Sequence, residues 1–150
     1  MLKGHDERAY YLKELMRLLP RSFEKVREVF RDEYELRELG FEDKADQFRE
    51  VKFALYFFTF DCRIRNGELI ERAILNRKES KILRLRYIRA QTWRQLFNSM
   101  GYSPDHCKRI HRDAITKIAT QNPDADFKAI YEQERAKLAE LLERVGEKLR

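Results

Sequence analysis

The sequence predicts an all-α protein: an N-terminal helical bundle, then a helix-turn-helix, then a C-terminal amphipathic helix. Three observations carry that expectation. Apolar residues recur at spacings of three and four along most of the chain, which is the period of one helix face. With five Gly and three Pro in 150 residues and 39% of side chains charged, turn formers are too few for the many short strands of an all-β fold. Most of the turn formers that do occur, among them Pro20, Gly40, Asn66-Gly67, Gly101 and Asn122-Pro123, fall where helices would start or stop. The length suits one ordinary domain or two very small ones.

In chain order, Asp6 is placed to cap a helix to about Leu19, with Leu12, Leu15, Met16 and Leu19 as its stripe and Pro20 as its end. Ser22 caps the next, to about Leu39, with Phe23, Val26, Val29/Phe30 and Tyr34 inward and Gly40 as the stop. Asp43 caps a third, from Lys44 to about Asn66, and this one is apolar on most of its circumference. Phe48, Val51, Leu55, Phe58 and Cys62 make one stripe; Phe53, Tyr56, Phe57, Phe60 and Ile64 make a second. Such a helix is normally buried on several sides, as a central core helix would be, and the alternative is that part of its aromatic surface is a dimer interface. Asn66-Gly67 reads as a break, followed by a short helix or connector from Glu68 to Leu75. Residues 1–74 thus form the bundle, available for dimerisation or partner binding. Its boundary with the next lobe falls between Asn66 and Glu79, without a flexible linker.

Residues 121–150 open with Asn122-Pro123-Asp124, a break and helix start with Pro123 near the first turn. Phe127, Ile130/Tyr131, Leu138, Leu141/Leu142, Val145 and Leu149 follow at spacings of three and four. That stripe must cover either the N-terminal bundle or the same helix of a second subunit. With Glu134 and Lys148 at seam positions, a long autonomous coiled coil is not expected.

Residues 75–120 carry the charge. From Leu75 to Ile118 there are 11 Lys/Arg against three acids, a balance of +8, although the whole chain carries +6. Each flank sums to −1, with 15 basic and 16 acidic residues before and 6 and 7 after. A basic block between neutral flanks is what counterion release from nucleic-acid phosphates exploits; the plainer account is a solvated charged face. Glu79 to Arg89 forms a supporting helix, with Ile82, Leu83 and Leu85 to Ile88 making apolar contacts and Arg84, Arg86 and Arg89 outside. Thr92 caps a helix whose inner face is Trp93, Leu96 and Phe97. Gly101 supplies the left-handed turn, and Ser103 caps a second helix with Pro104 in its first turn. Cys107, Ile110 or His111, and Ala114 face inward. Asp105, His106, Lys108, Arg109 and Arg112 are left outward. Arg109 can reach guanine O6 and N7 with two parallel bonds, and Asp105 can accept from a cytosine amine or orient an arginine. Lys108, Arg112, Arg94 and the Thr92 hydroxyl suit phosphates, which fix register without reading sequence.

The stretch from Glu79 to Ile118, ESKILRLRYIRAQTWRQLFNSMGYSPDHCKRIHRDAITKI, resembles the promoter-reading C-terminal region of bacterial sigma factors, region 4. It is closer still to the sigma-like phage late-gene regulators of the ArpU and RinA type. The resemblance rests on Leu85-Arg86-Tyr87-Ile88, Thr92-Trp93 with Leu96, Gly101-Tyr102-Ser103, and Arg109-Ile110-His111 followed by Ala114, about a quarter of the chain. It implies a DNA-binding, transcription-regulating protein and places contacts at Ser103, Asp105, Lys108, Arg109 and Arg112. Two positions depart from the pattern. Phe97 replaces a small residue, so the two helices pack differently or Phe97 fills a neighbouring gap, and Cys107 replaces an aliphatic one. Residues 1–74 show no counterpart of the sigma region that melts promoter DNA, so a complete sigma factor is not expected.

The function expected is a sequence-specific, double-stranded DNA-binding transcriptional regulator, of phage or mobile-element origin, reading the major groove with the helix over 103–118. It would bind as a homodimer, with RNA polymerase as a candidate second partner. The alternatives are a small terminase-like DNA-packaging subunit, which a large ring would favour, and a module binding a host protein through the aromatic third helix. No enzyme is expected, because there is no glycine-rich phosphate loop and no Ser-His-Asp arrangement that helical placement would bring together. No cofactor is expected, and three His with two Cys at no paired spacing argue against a metal site. Cys62 and Cys107 are expected as buried, reduced thiols. No apolar run is long enough to span a membrane and no signal-peptide core is present, so a cytoplasmic protein is expected.

Overall fold

Leu12, Leu15, Met16 and Leu19 lie on one helix face, and all four are buried, but Pro20 does not end their helix. In a computed structural model, which describes the backbone of residues 4–149 and the side chains of residues 7–147, six helices follow one another and no strand is formed among the described residues. They are α1 (Gly4–Glu38), α2 (Glu42–Arg72), α3 (Arg77–Tyr87), α4 (Trp93–Met100), α5 (Pro104–Gln121) and α6 (Phe127–Leu149). No helix among the described residues is long and apolar enough to cross a membrane.

The two helices expected before Gly40 are therefore one of 35 residues. Asp6 lies inside its first turns and is no N-cap; its side chain is outside the described residues. Pro20 removes the N–H that would have bonded the Met16 carbonyl, a loss that usually breaks or kinks a helix. Here the Asn66 side-chain amide donates to the Met16 carbonyl at 3.0 Å, so the orphaned acceptor is satisfied from another helix. Ser22 caps nothing: it is buried, and its hydroxyl donates to the Leu19 carbonyl at 3.2 Å. Gly40, at φ +85°, ends α1 as expected, the left-handed turn letting the Phe41 N–H return to the Leu36 carbonyl.

Nor does Asn66-Gly67 break the chain. The helix begins at Glu42, so Asp43 sits in its first turn, not at its cap, and it runs on to Arg72, absorbing most of the expected connector. Asn66 is fully buried at the junction of three helices: the same amide nitrogen also donates to the Tyr87 carbonyl at the end of α3, at 3.0 Å. Phe48, Val51, Leu55, Phe58 and Cys62 are buried, whereas Phe53, Tyr56, Phe57, Phe60 and Ile64 are exposed. The helix is thus buried on one side, and Phe30 and Tyr34 of α1, expected inward, lie exposed too. Beside them, the buried Glu33 receives Lys52 at 2.7 Å and Arg37 at 3.1 Å. Burial alone would raise the Glu33 pKa, but hydrogen bonds from Lys52 and Arg37 outweigh it and hold the carboxyl below its ordinary range.

α6 packs against α1 and α2 of its own chain, burying Phe127, Tyr131 and Leu138. Its start is later than Pro123: Asp126 accepts from the Ala129 N–H at 3.1 Å, and Arg8 holds the preceding loop through the Asn122, Pro123 and Ala125 carbonyls. Glu134, the acidic interruption of the stripe, lies 3.8 Å from Arg65 of α2, while the side chains of Lys148 and Leu149 are outside the described residues. α1 also packs against α3 and α5, so one hydrophobic cluster runs from Leu12 through Tyr87 and Ile118 to Leu138.

Candidate nucleic-acid interface

Local sequence decides the ends of the helices that bear the basic residues. Asn76 opens α3 with a capping box: its side chain accepts from the Glu79 N–H at 2.8 Å and the Glu79 carboxylate accepts from the Asn76 N–H at 2.9 Å. Thr92 and Gln95 form the same reciprocal pair at the start of α4, at 3.2 and 2.9 Å. Gly101 closes α4 at φ +73°, and three residues later α5 begins with Ser103 accepting from the His106 N–H at 3.2 Å and Pro104 in the first turn.

The inner face of α5 is made by Cys107, Ile110, His111, Ala114, Ile115 and Ile118, all buried; Ile110 and His111, between which the spacing left a choice, both face inward. His111 and Tyr87 are linked by a 2.6 Å hydrogen bond, and Trp93 meets the imidazole edge-on at 5.0 Å. Burial, followed by the nearby charges of Lys13, Arg86 and Arg17, lowers the His111 pKa to about 4, and burial raises that of Tyr87. Burial likewise raises the Cys62 thiol to about 11 and the Cys107 thiol above its ordinary value, so both cysteines are protonated at neutral pH. Phe97 fills space beside Trp93, ring centres 5.9 Å apart, and Cys107 is fully enclosed.

Opposite that face, Asp105, Lys108, Arg109 and Arg112 are exposed and share an arc of about 100° at the helical period. Among the described residues none of the four takes part in an ion pair. His106 is half-buried, standing edge-on to Tyr102 at 4.9 Å, while Lys78 covers the Tyr102 ring from α3. Thr92, Arg94 and Ser103 are exposed at the starts of α4 and α5; the Thr92 and Ser103 hydroxyls accept cap bonds and keep a proton to donate. The chain matches no family model, no curated protein and no solved structure.

The basic block is not one surface. Arg86, expected outside, is largely buried: it stacks over Trp93 at 5.5 Å and donates to the Gln91 carbonyl at 2.7 Å, because α1 covers the face it occupies. Lys117 is held by Glu79 at 2.8 Å. Arg77, Lys81, Arg84 and Arg89 border a cavity of about 630 Å³ floored by Leu85 and Ile88. At 100° per residue this groove lies about 180° around α3 from Glu79, the residue that meets α5, so it faces away from the Arg109 stripe. A second cavity, about 430 Å³, lies between α1 and the start of α4, where Arg17, Arg21 and Arg27 stand beside Thr92 and Trp93. Nothing in the sequence joins α1 to α4, so no local pattern brings these arginines to the start of α4.

Proposed function

We propose that this chain is a sequence-specific double-stranded DNA-binding transcriptional regulator, sigma-like in its reading module, that lays α5 in the major groove. The observation that carries the reading is the outward set Asp105, Lys108, Arg109 and Arg112, in no ion pair among the described residues, on a helix whose other face is wholly buried. A fully buried face fixes the helix against the rest of the protein, so its outward side chains are presented in one register, as base reading requires. The resemblance of residues 79–118 to sigma region 4 and to the ArpU and RinA type supports the same assignment. Arg109 is the base-reading residue; Lys108, Arg112, Arg94, Thr92 and Ser103 hold phosphates, joined by Arg21 and Arg27 from α1.

The test is retention of fragmented genomic or phage DNA at moderate salt, followed by sequencing. One or a few enriched sites are expected, and uniform retention would overturn the reading. On an enriched site, Arg109→Ala should relax preference at one base pair by about 1–3 kcal/mol. Arg112→Ala should instead weaken all sequences alike and lower the slope of log affinity against log salt by about 1. An Arg109→Ala protein with unchanged preference would remove that residue from base reading.

A further inference from the structure

The exposed aromatic stripe of α2 lies outside the hydrophobic core formed by the described residues, and we propose that it is where two copies of the chain pair, α2 against α2 and antiparallel. The inference stands on this face alone and does not depend on DNA binding.

Phe53, Phe57, Phe60 and Ile64 are spaced four, three and four, the spacing of a helix–helix seam, and they fall within an arc of about 60°. They are 47%, 60%, 48% and 46% exposed, and Tyr56 beside them is 48% exposed. The stripe continues onto α1, because Lys52 lies over both Phe53 at 5.1 Å and Phe30 at 4.7 Å, and Tyr34 follows one turn after Phe30. Phe30 and Tyr34 are 45% and 65% exposed. Side chains of this size bury 150–250 Å² when covered, so half of each across seven residues amounts to roughly 700 Å² of apolar surface. A monomer seldom leaves so large a patch in water, and the area approaches the roughly 800 Å² per partner of a standard stable interface.

A second copy fits this face because the face is self-complementary. An antiparallel pairing about a two-fold axis midway between Phe58 and Thr59 sets Phe57 at the level of Phe60 of the second copy and Phe53 at the level of Ile64, each twice. It also sets Arg49 at the height of Glu68 of the second copy. Both are exposed, and neither takes part in an ion pair among the described residues. The same register sets Asp46, which Arg37 holds at 2.9 Å, level with Glu71 of the second copy one turn further out, whereas a parallel pairing would bring like charges together at all four positions, Arg49, Glu68, Asp46 and Glu71.

Sedimentation of the full chain without DNA tests the proposal. The wild type should be a dimer at micromolar concentration. Phe57→Glu and Phe60→Glu, both on the exposed side and so expected to keep their helicity by circular dichroism, should raise the dimer dissociation constant at least about a hundredfold, since each would bury a carboxylate opposite an aromatic ring. Leu39→Glu, exposed at the other end of the helix pair, should leave the dimer intact. Spin labels at an Arg49→Cys position should lie on the order of 30 Å apart, given 19 residues of helix between the paired levels; a parallel pair would hold them near 10 Å. A wild-type monomer, a dimer indifferent to both glutamates, or the short label distance would overturn the proposal. Because no DNA is present, any of these results leaves the DNA reading to its own test.

Discussion

Pro20 and Asn66 act as a pair, although neither lies in the other's neighbourhood along the chain. Each is locally a helix breaker, so each was expected to end an element; in the fold the proline frees the Met16 carbonyl and the asparagine, 50 positions away along the chain, supplies the donor. A signal that lies in a pair so distant is not visible in either neighbourhood. The pairing makes a specific prediction. Asn66→Asp, nearly the same shape, replaces a donor to two buried carbonyls with an acceptor, and should cost about 3 kcal/mol or more in chemical denaturation at neutral pH. Asn66→Ala should cost about 2–3 kcal/mol, and about 1 kcal/mol less in a Pro20→Ala background, where residue 20 can again donate to Met16. Equal costs in the two backgrounds would mean that the amide does not compensate for the proline. His111 sets a second test at this scale. Its folded pKa, about 4, lies below the ordinary value of 6.5. As pH falls the unfolded chain takes up that proton first, so stability is complete above about pH 6.5 and is lost as pH falls toward 4, by up to about 3 kcal/mol. Melting at stepped pH checks this, and His111→Gln should flatten that part of the curve while lowering stability throughout, because the Tyr87 hydroxyl loses its partner.

At the level of the element, what was legible was local. The Thr92 and Ser103 caps, the Gly101 turn and the inward set of α5 depend on residues within one or two turns of each other, so periodicity and capping rules reach them. The start of α6 was missed because Pro123 is the more conspicuous helix-start residue, yet Asp126 makes the cap bond. The α3–α4 corner was missed for a different reason: Ala90 takes a left-handed conformation, φ 55°, which nothing about alanine suggests. Packing imposes it. Arg86 reaches forward to the Gln91 carbonyl while the Gln91 N–H returns to Leu85, and the residue between must turn left. An L-residue pays about 1–2 kcal/mol there, and a glycine would cost about 0.5–1 in chain entropy, so Ala90→Gly should stabilise by about 0.5 kcal/mol. Gly101→Ala should destabilise by about 1 kcal/mol for the converse reason, and by little more, since a Cβ at that position meets no atom within 4 Å. Thermal melts of the two variants should therefore move in opposite directions. A loss of stability in Ala90→Gly would show that the corner is not strained.

Across the whole molecule the question is whether the part that bears the basic stripe is held by the part that does not. α1 packs against α2, α3, α5 and α6, and α2 reaches α3 through Asn66 and through Arg63, which donates to the Ile88 carbonyl at 3.1 Å. Gln121 at the end of α5 exchanges two hydrogen bonds with Ile74, after α2, at 2.7 and 3.0 Å. Cutting near residue 75 would leave the Tyr87 carbonyl without its donor and uncover the face of α5 that meets α1. The expected consequence is one cooperative transition. Trp93 is the sole tryptophan and sits over Arg86 beside α1, so its fluorescence reports α3 to α5. Far-ultraviolet circular dichroism is dominated by α1 and α2, at 35 and 31 residues the two longest helices. If the chain unfolds as one unit, the two signals give coincident curves in denaturant, and a fragment spanning 75–121 shows no cooperative transition of its own. If instead the fluorescence change separates from the loss of helix, or the fragment melts as sharply as the full chain, then the buried bonds at Asn66 and Gln121 only join two units that fold independently, and α5 would present its arginines equally well without the N-terminal half.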